Sequence, residues 1–165
     1  MGMDQPPSQP PMGGSKPPDF GEMAGKLKAA QGPDRLILIA GLLFFVDSFL
    51  PWYGLKGFLA SAARSVGVSP NVKGWSAGGF AVLAILFAIA ATIVAALNVL
   101  GMMKDVGMPQ GQLMLILTGG TLLFTLLRWL TETSLTKYGL FIAIVLGAVM
   151  AYGGYQKSQA SSSAA

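Results

Sequence analysis

The sequence predicts an all-α protein: a four-helix transmembrane bundle with a disordered Pro-rich N-terminal tail and a short disordered C-terminal tail. Two observations lead to this fold class. First, 53% of the 165 residues are hydrophobic and only 11% are charged, which is too little charged surface for a soluble domain of this size. Second, the apolar residues form four runs, each close to the length of helix that crosses the ~30 Å hydrocarbon layer of a bilayer.

The residue types that the chain lacks exclude several kinds of functional site. The chain has no Cys and no His. A disulfide framework, a thiol nucleophile and a thiolate metal site are therefore excluded, and the commonest general base and metal ligand is lacking. We expect no enzymatic activity, no cofactor and no metal site. The net charge of +4 is spread without a Lys/Arg block, which favours positioning at a membrane surface over nucleic-acid binding.

Residues 1–33 form the predicted tail and hold seven of the ten prolines. This composition is typical of a disordered, partly polyproline-II segment, either a docking tail or an inert spacer. Over 19–31 the apolar residues Phe20, Met23 and Leu27 recur at helical spacing, and Asp19 stands at an N-cap position. This segment is either a short helix lying on the bilayer surface or more disordered tail.

The membrane domain is predicted over 34–155, with a polar, disordered tail over 156–165. Pro51 ends the first span, and the long loop that follows contains a short apolar helical segment expected at the membrane interface. The four spans are predicted at about 35–52, 76–101, 112–130 and 137–155.

Aromatic side chains near the span ends are predicted to anchor the helices at the membrane–water interfaces. These side chains are Trp52, Tyr53, Trp75, Trp129, Tyr138 and Tyr155. An even number of spans places both termini on one side. Cytoplasmic termini leave six basic residues inside and five outside, and the tail has no signal peptide. We therefore predict a multi-pass protein of the cell membrane with both termini in the cytoplasm.

Small residues at four-residue spacing form stripes along two spans, an arrangement that lets helix backbones approach closely in lipid. The stripe of the second span is Ala84, Ala88, Thr92 and Ala96, and that of the fourth is Gly139, Ala143, Gly147 and Ala151. The stripes predict either packing within the chain or an outward face that receives the helix of another protein.

Asp47 is the only acid inside a predicted span. A carboxylate at this depth needs water or a partner. Aligning Leu42-Leu43-Phe44 with Leu122-Leu123-Phe124 places Arg128 one position from the register of Asp47, on a span that runs in the same direction. We predict an intramembrane ion pair between Asp47 and Arg128. A proton or cation relay through Asp47 is the functional alternative, and snorkelling towards the interface is the simpler one.

Three short motifs carry a resemblance to a known group. They are the Pro/Gln-rich tail leading to Pro33-Asp34-Arg35, the span exit Phe49-Leu50-Pro51-Trp52-Tyr53-Gly54 and the span entry Gly74-Trp75-Ser76-Ala77-Gly78. With these motifs the chain resembles the small, mostly uncharacterised four-span integral membrane proteins of actinobacteria. The resemblance implies the architecture and no activity.

Two functions are compatible with these features. The first is a non-enzymatic membrane protein that acts as an accessory or partner-binding subunit, with the lipid bilayer and another membrane protein or a second copy as its partners. The alternative is a small oligomeric transporter or channel that uses Asp47 as an ionisable site.

Overall fold

The computed structural model describes residues 19–30, 32–103, 107–133 and 135–163, and 76% of these residues are helical. The helices are α1 (Phe20–Ala29), α2 (Pro33–Asp47), α3 (Gly57–Ser65), α4 (Gly79–Leu100), α5 (Gln110–Thr131) and α6 (Tyr138–Ser163). Two short strands, β1 (Pro51–Gly54) and β2 (Asn71–Lys73), and a 3-10 helix over Gly74–Ser76 complete the described elements. The prediction of a mostly helical protein is confirmed.

Four helices make up the body of the protein. α2 packs against α4 and α6, and α5 also packs against α4 and α6, so the four helices form a closed ring. The chain reverses direction between successive members. We call the end that carries β1, β2, α3 and residues 132–133 and 135–137 the hairpin end. The opposite end, where α2 begins and α6 finishes, is the tail end.

Three described helices, α4, α5 and α6, are long and apolar enough to cross a membrane. α2 is apolar but has only fifteen residues. At ~1.5 Å per residue it is about 22 Å long, less than the ~30 Å of a bilayer core. The helix is shorter than the span predicted over 35–52, because it ends at Asp47. α2 stops at Asp47 because Pro51 cannot continue it, and the chain then turns into β1.

The β-sheet corrects the all-α prediction. β1 and β2 pair antiparallel, with Tyr53 opposite Val72 and Gly54 opposite Asn71. The other side of β1 is also bonded, because the Lys137 N–H donates to the Trp52 carbonyl at 2.8 Å and the Gly54 N–H donates to the Leu135 carbonyl at 3.0 Å. The loop prediction recognised the helical segment that became α3, but it missed both strands flanking that segment.

The predicted C-terminal tail over 156–165 is also wrong for the described residues, since α6 continues to Ser163. Lys157 pairs with Asp34 of α2 at 2.5 Å, and both side chains are largely buried. The Ser161 hydroxyl donates to the Lys157 carbonyl at 3.0 Å. A Cβ placed on Gly111 of α5 would come within 2.8 Å of the Ser158 Cα, so α5 and α6 lie in close contact here. Packing against α2 and α5 thus extends α6 through a polar segment that has no apolar run of its own.

The sequence pattern over 19–31 allowed either a short helix or more disordered tail, and the structure contains a helix there. α1 begins after Asp19, whose carboxylate accepts a hydrogen bond from the Gly21 N–H at 2.9 Å. The prediction of a disordered Pro-rich segment before it falls on residues 1–18, outside the described residues. The placement of α1 on a bilayer surface remains a prediction.

Candidate functional site

Asp47 lies at the C-terminus of α2, and its side chain is almost completely buried, with 2% exposed. The Trp52 indole N–H folds back to donate to both the Asp47 carbonyl and the Asp47 Oδ2, each at 3.1 Å. Asp47 Oδ1 has no hydrogen-bond partner among the described residues. One oxygen of the Asp47 carboxylate therefore accepts a hydrogen bond from a neutral donor, and the other accepts none from the described residues.

The surroundings of Asp47 are closed on the hairpin side. Ser48 is fully buried and accepts a hydrogen bond from the Trp75 indole N–H at 2.9 Å. Two glycines let neighbouring elements lie close to this end of α2. A Cβ on Gly74 would lie 2.9 Å from the Ser48 carbonyl, and a Cβ on Gly139 would lie 2.9 Å from Trp52 Cδ1. The two tryptophans thus cover the end of α2.

Arg128 lies near the end of α5 and has a separate set of partners. Its Nη2 pairs with Glu132 Oε2 at 3.2 Å, one helical turn further on. Its guanidinium carbon lies 4.5 Å from the centroid of the Tyr53 ring, within cation–π distance. The Tyr53 hydroxyl donates to the Arg128 carbonyl at 3.0 Å. Arg128 Nε is buried and has no partner among the described residues.

Burial raises the pKa of the Tyr53 phenol above its ordinary value, and the Arg128 charge acts in the opposite direction. The phenol is therefore protonated at neutral pH and keeps its role as a donor. A cavity of about 320 Å³ lies beside this group, lined in part by Pro70, Val72 and Glu132. This volume is at the lower end of the range for small-ligand sites, ~300–1,000 Å³.

The predicted ion pair between Asp47 and Arg128 does not form between these described residues. Asp47 is held by Trp52 and Arg128 by Glu132. Shared depth on parallel helices was not sufficient to bring the charges together, because α2 and α5 lie diagonally across the ring and the hairpin end supplies nearer partners. The four-residue spacing of Arg128 and Glu132, at the end of α5, was the available sequence signal.

Two of the predicted interface anchors are buried inside the protein. Trp52 has no exposed surface and Tyr53 only 4%, so neither reaches a lipid interface as predicted. Trp75 and Trp129 are partly buried, whereas Tyr138 and Tyr155 are exposed at opposite ends of the bundle.

Most of the predicted small-residue stripes face the inside of the chain. Ala84 and Ala88 of α4 and Gly139, Ala143 and Gly147 of α6 are buried, and Thr92, Ala96 and Ala151 are partly buried. The two stripes have different partners, however. A Cβ on Gly41 of α2 would overlap the Thr92 hydroxyl, and a Cβ on Gly147 would meet the Leu122 Cα of α5 at 3.4 Å. The α4 stripe thus meets α2 at Thr92, and the α6 stripe meets α5 at Gly147 and β1 at Gly139.

The buried threonines of α5 bond to their own helix, whereas the Asn98 Nδ2 of α4 is buried without a partner among the described residues. The hydroxyls of Thr118, Thr121 and Thr125 each donate to the carbonyl four residues earlier on α5, at 2.7–3.0 Å. Among the described residues, no group of three His, Cys, Asp or Glu side chains is placed to hold a metal ion. Comparisons with protein-family models, curated proteins and solved structures find no match for the chain.

Proposed function

We propose that the chain is a non-enzymatic, four-span integral membrane protein that acts as an accessory or partner-binding subunit of a membrane complex. The observation that carries this proposal is the distribution of apolar side chains. The interior of the ring is filled by small and apolar residues such as Ile37, Ala84 and Met150, while large apolar side chains such as Leu42, Leu86 and Val145 face outward. Such a surface suits lipid or another membrane helix.

In this proposal α2 is the fourth span. Its outer face exposes Leu42, Leu43 and Val46, as a lipid-facing helix requires. A helix of about 22 Å is short, but a bilayer accommodates a short span by local thinning at a modest cost. The hairpin end then lies at the membrane interface, where the exposed backbone of the loops can bind water.

The partner-binding surface that we propose is the outer face of α3. Phe58 is 84% exposed, and Leu59 and Val66 beside it are also exposed, while Lys56 and Arg64 flank this apolar face. A helix of this kind either lies in the bilayer interface or contacts another protein. Leu55 and Ser69, which precede and follow α3 in the chain, line the cavity at Tyr53 and Arg128, and this favours contact with a partner that covers the hairpin end.

The test is affinity purification of the tagged chain in a mild detergent, followed by mass spectrometry and sizing. We expect a larger membrane protein to be recovered in equal stoichiometry. Phe58→Glu should lose that protein, whereas Ser61→Glu, a matched change at an exposed polar position of α3, should retain it. A homogeneous homo-oligomer with no other protein would contradict the proposal.

The alternative, a small oligomeric transporter or channel, is favoured by one specific observation: the buried Asp47 Oδ1 lacks a partner among the described residues. Buried acids within membrane helices often bind protons or cations. The test is ion flux into liposomes that contain the purified protein, measured with internal pH-sensitive and K⁺-sensitive dyes. Flux that Asp47→Asn abolishes would support a channel; wild-type liposomes no leakier than protein-free ones would contradict it.

A further inference from the structure

An apolar groove runs along the outside of the bundle between α2 and α4. At the tail end it opens to about 620 Å³, lined by Leu38, Ile39 and Leu42 of α2 and Ala96 of α4. It continues past Thr92 into a smaller space of about 150 Å³ beside Phe45 and Ile89. The two helices meet closely where Gly41 faces Thr92, and the groove follows the outer side of this contact.

Two cations stand at the tail end of this groove. Lys28 of α1 and Arg35 of α2 both line it, and no acidic residue of the described ranges does. Within the described part of the chain, neither side chain takes part in an ion pair, whereas the neighbouring Lys26 pairs with Glu22 at 3.0 Å and Lys157 pairs with Asp34. The groove is thus positive at one end and apolar along its length.

The length of the groove matches one leaflet of a membrane. From Arg35 to Phe45 the helix rises about 15 Å at ~1.5 Å per residue. Half of a ~30 Å hydrocarbon layer is also about 15 Å. A molecule that fits must therefore have a negative head at the Lys28 and Arg35 end and one or more apolar chains reaching towards the middle of the bilayer.

We infer that this groove binds an anionic phospholipid from the leaflet on the side of the termini. The phosphate group pairs with Lys28 and Arg35, and an acyl chain lies along Leu38, Leu42 and Phe45. α1 thereby has a role: it brings Lys28 to the mouth of a groove formed by two other helices. The inference rests on the proposed membrane placement, because only a chain in a bilayer meets such a lipid.

The test uses the full-length chain purified in a non-ionic detergent. Dioleoyl phosphatidylglycerol or dioleoyl phosphatidylcholine is added at the same molar ratio, and bound lipids are counted by native mass spectrometry. We expect one tightly bound phosphatidylglycerol, held at least about tenfold more tightly than phosphatidylcholine. Lys28→Gln and Arg35→Gln should each lower that affinity about five-fold, the effect of one basic group near an anionic lipid.

Lys26→Gln is the matched control, since it removes the same charge from the same helix at a residue that does not line the groove. It should leave the affinity unchanged. Equal losses in the Lys26 and Lys28 variants, or equal affinity for the two lipids, would overturn the inference. A dimer that binds no phosphatidylglycerol, and whose share of the protein rises when this lipid is removed, would also overturn the inference. A second copy would then be the occupant of the groove.

Membrane fractionation and far-UV circular dichroism of each variant separate this result from the proposed function. A folded chain in the membrane fraction without lipid selectivity would overturn the lipid site alone. A chain recovered in the soluble fraction would overturn the membrane placement and the lipid site together.

Discussion

At the end of α2, the Trp52 side chain adds a second hydrogen-bond donor for the Asp47 carbonyl, which already accepts from the Leu50 N–H at 2.8 Å. The last carbonyls of a helix lack partners within it, and Pro51 prevents the next turn from forming. The indole N–H bonds to the Asp47 carbonyl and carboxylate together. One side chain therefore adds a bond at the helix end and reduces the cost of burying an acid.

The first prediction is that Trp52→Phe lowers the free energy of unfolding by about 1–3 kcal/mol, because it leaves the buried Asp47 carboxylate without its donor, whereas the Asp47 carbonyl keeps the Leu50 N–H. The measurement is thermal or denaturant unfolding in detergent, followed by circular dichroism. In a double-mutant cycle, Asp47→Asn should couple to Trp52→Phe by at least ~0.5 kcal/mol. A Trp52→Phe protein as stable as the wild type would show that the bond contributes nothing.

The second prediction uses the same cycle on the pair that the sequence favoured. Asp47 and Arg128 have different partners, so the effects of Asp47→Asn and Arg128→Gln should add within ~0.5 kcal/mol. Unfolding of the two single variants and the double variant measures this directly. A coupling well above that value would mean that the two charges meet after all.

At the scale of helices, glycines decide how closely the members of the ring approach. Gly41 permits α2 to meet Thr92 of α4, and Gly154 of α6 lies against the Thr118 hydroxyl and the Met114 carbonyl of α5. Not every helical glycine has this role: a Cβ on Gly119 would have no neighbour within 4 Å. The same residue type thus serves as a contact point in one place and only lowers helix propensity in another.

The third prediction compares these two kinds of glycine. Gly41→Ala should destabilise the protein by about 1–3 kcal/mol, because its methyl group overlaps the Thr92 hydroxyl and forces α2 and α4 apart. Gly119→Ala should leave stability unchanged or raise it by up to ~1 kcal/mol. Melting temperatures in one detergent provide the comparison. Equal melting temperatures for the two variants would mean that the α2–α4 contact is not close.

The fourth prediction concerns the pair that holds the end of α6. Lys157→Gln leaves the largely buried Asp34 without its cation, so we expect a loss of about 1–3 kcal/mol and faster amide exchange over 156–163. Lys26→Gln breaks a more exposed pair and should change stability by less than ~0.5 kcal/mol. Hydrogen–deuterium exchange read by mass spectrometry locates the effect. Unchanged exchange over this segment would show that α6 does not depend on Asp34.

For the whole molecule, the closed ring places all described loops at one of two ends. The hairpin end holds Lys56, Arg64, Lys73, Arg128 and Lys137. α1 and the end of α6 belong to the tail end, together with Lys157. The even number of members puts the start of α2 and the end of α6 at the same end, so one labelling experiment decides the orientation of the described helices.

The fifth prediction is that the tail end is cytoplasmic. The chain has no Cys, so single cysteines can be introduced cleanly. A cysteine replacing Ser65 of α3 should react with an impermeant maleimide on intact cells, whereas one replacing Ser163 should react only after lysis. Both positions are exposed. The reverse pattern would invert the predicted topology, and reaction at both sites on intact cells would contradict an even number of spans.

The sequence by itself determined the features that depend on composition and local spacing. The apolar runs predicted the positions of α4, α5 and most of α6, Asp19 marked the start of α1, and Pro51 marked where α2 had to end. The stripes identified faces that are mostly buried, because small residues at four-residue spacing lie on one side of any helix. These signals are contained within one element, so no knowledge of the other elements is needed to read them.

Only the tertiary structure decided which elements meet. It buried Trp52 and Tyr53, placed Arg128 over the Tyr53 ring, extended α6 through Lys157 and formed the groove beside Lys28. Each of these outcomes depends on the distance between segments far apart in sequence, set by strand pairing and helix packing. Hydropathy and residue spacing carry no information about such distances. A buried tryptophan and one anchored in lipid therefore look the same in the sequence.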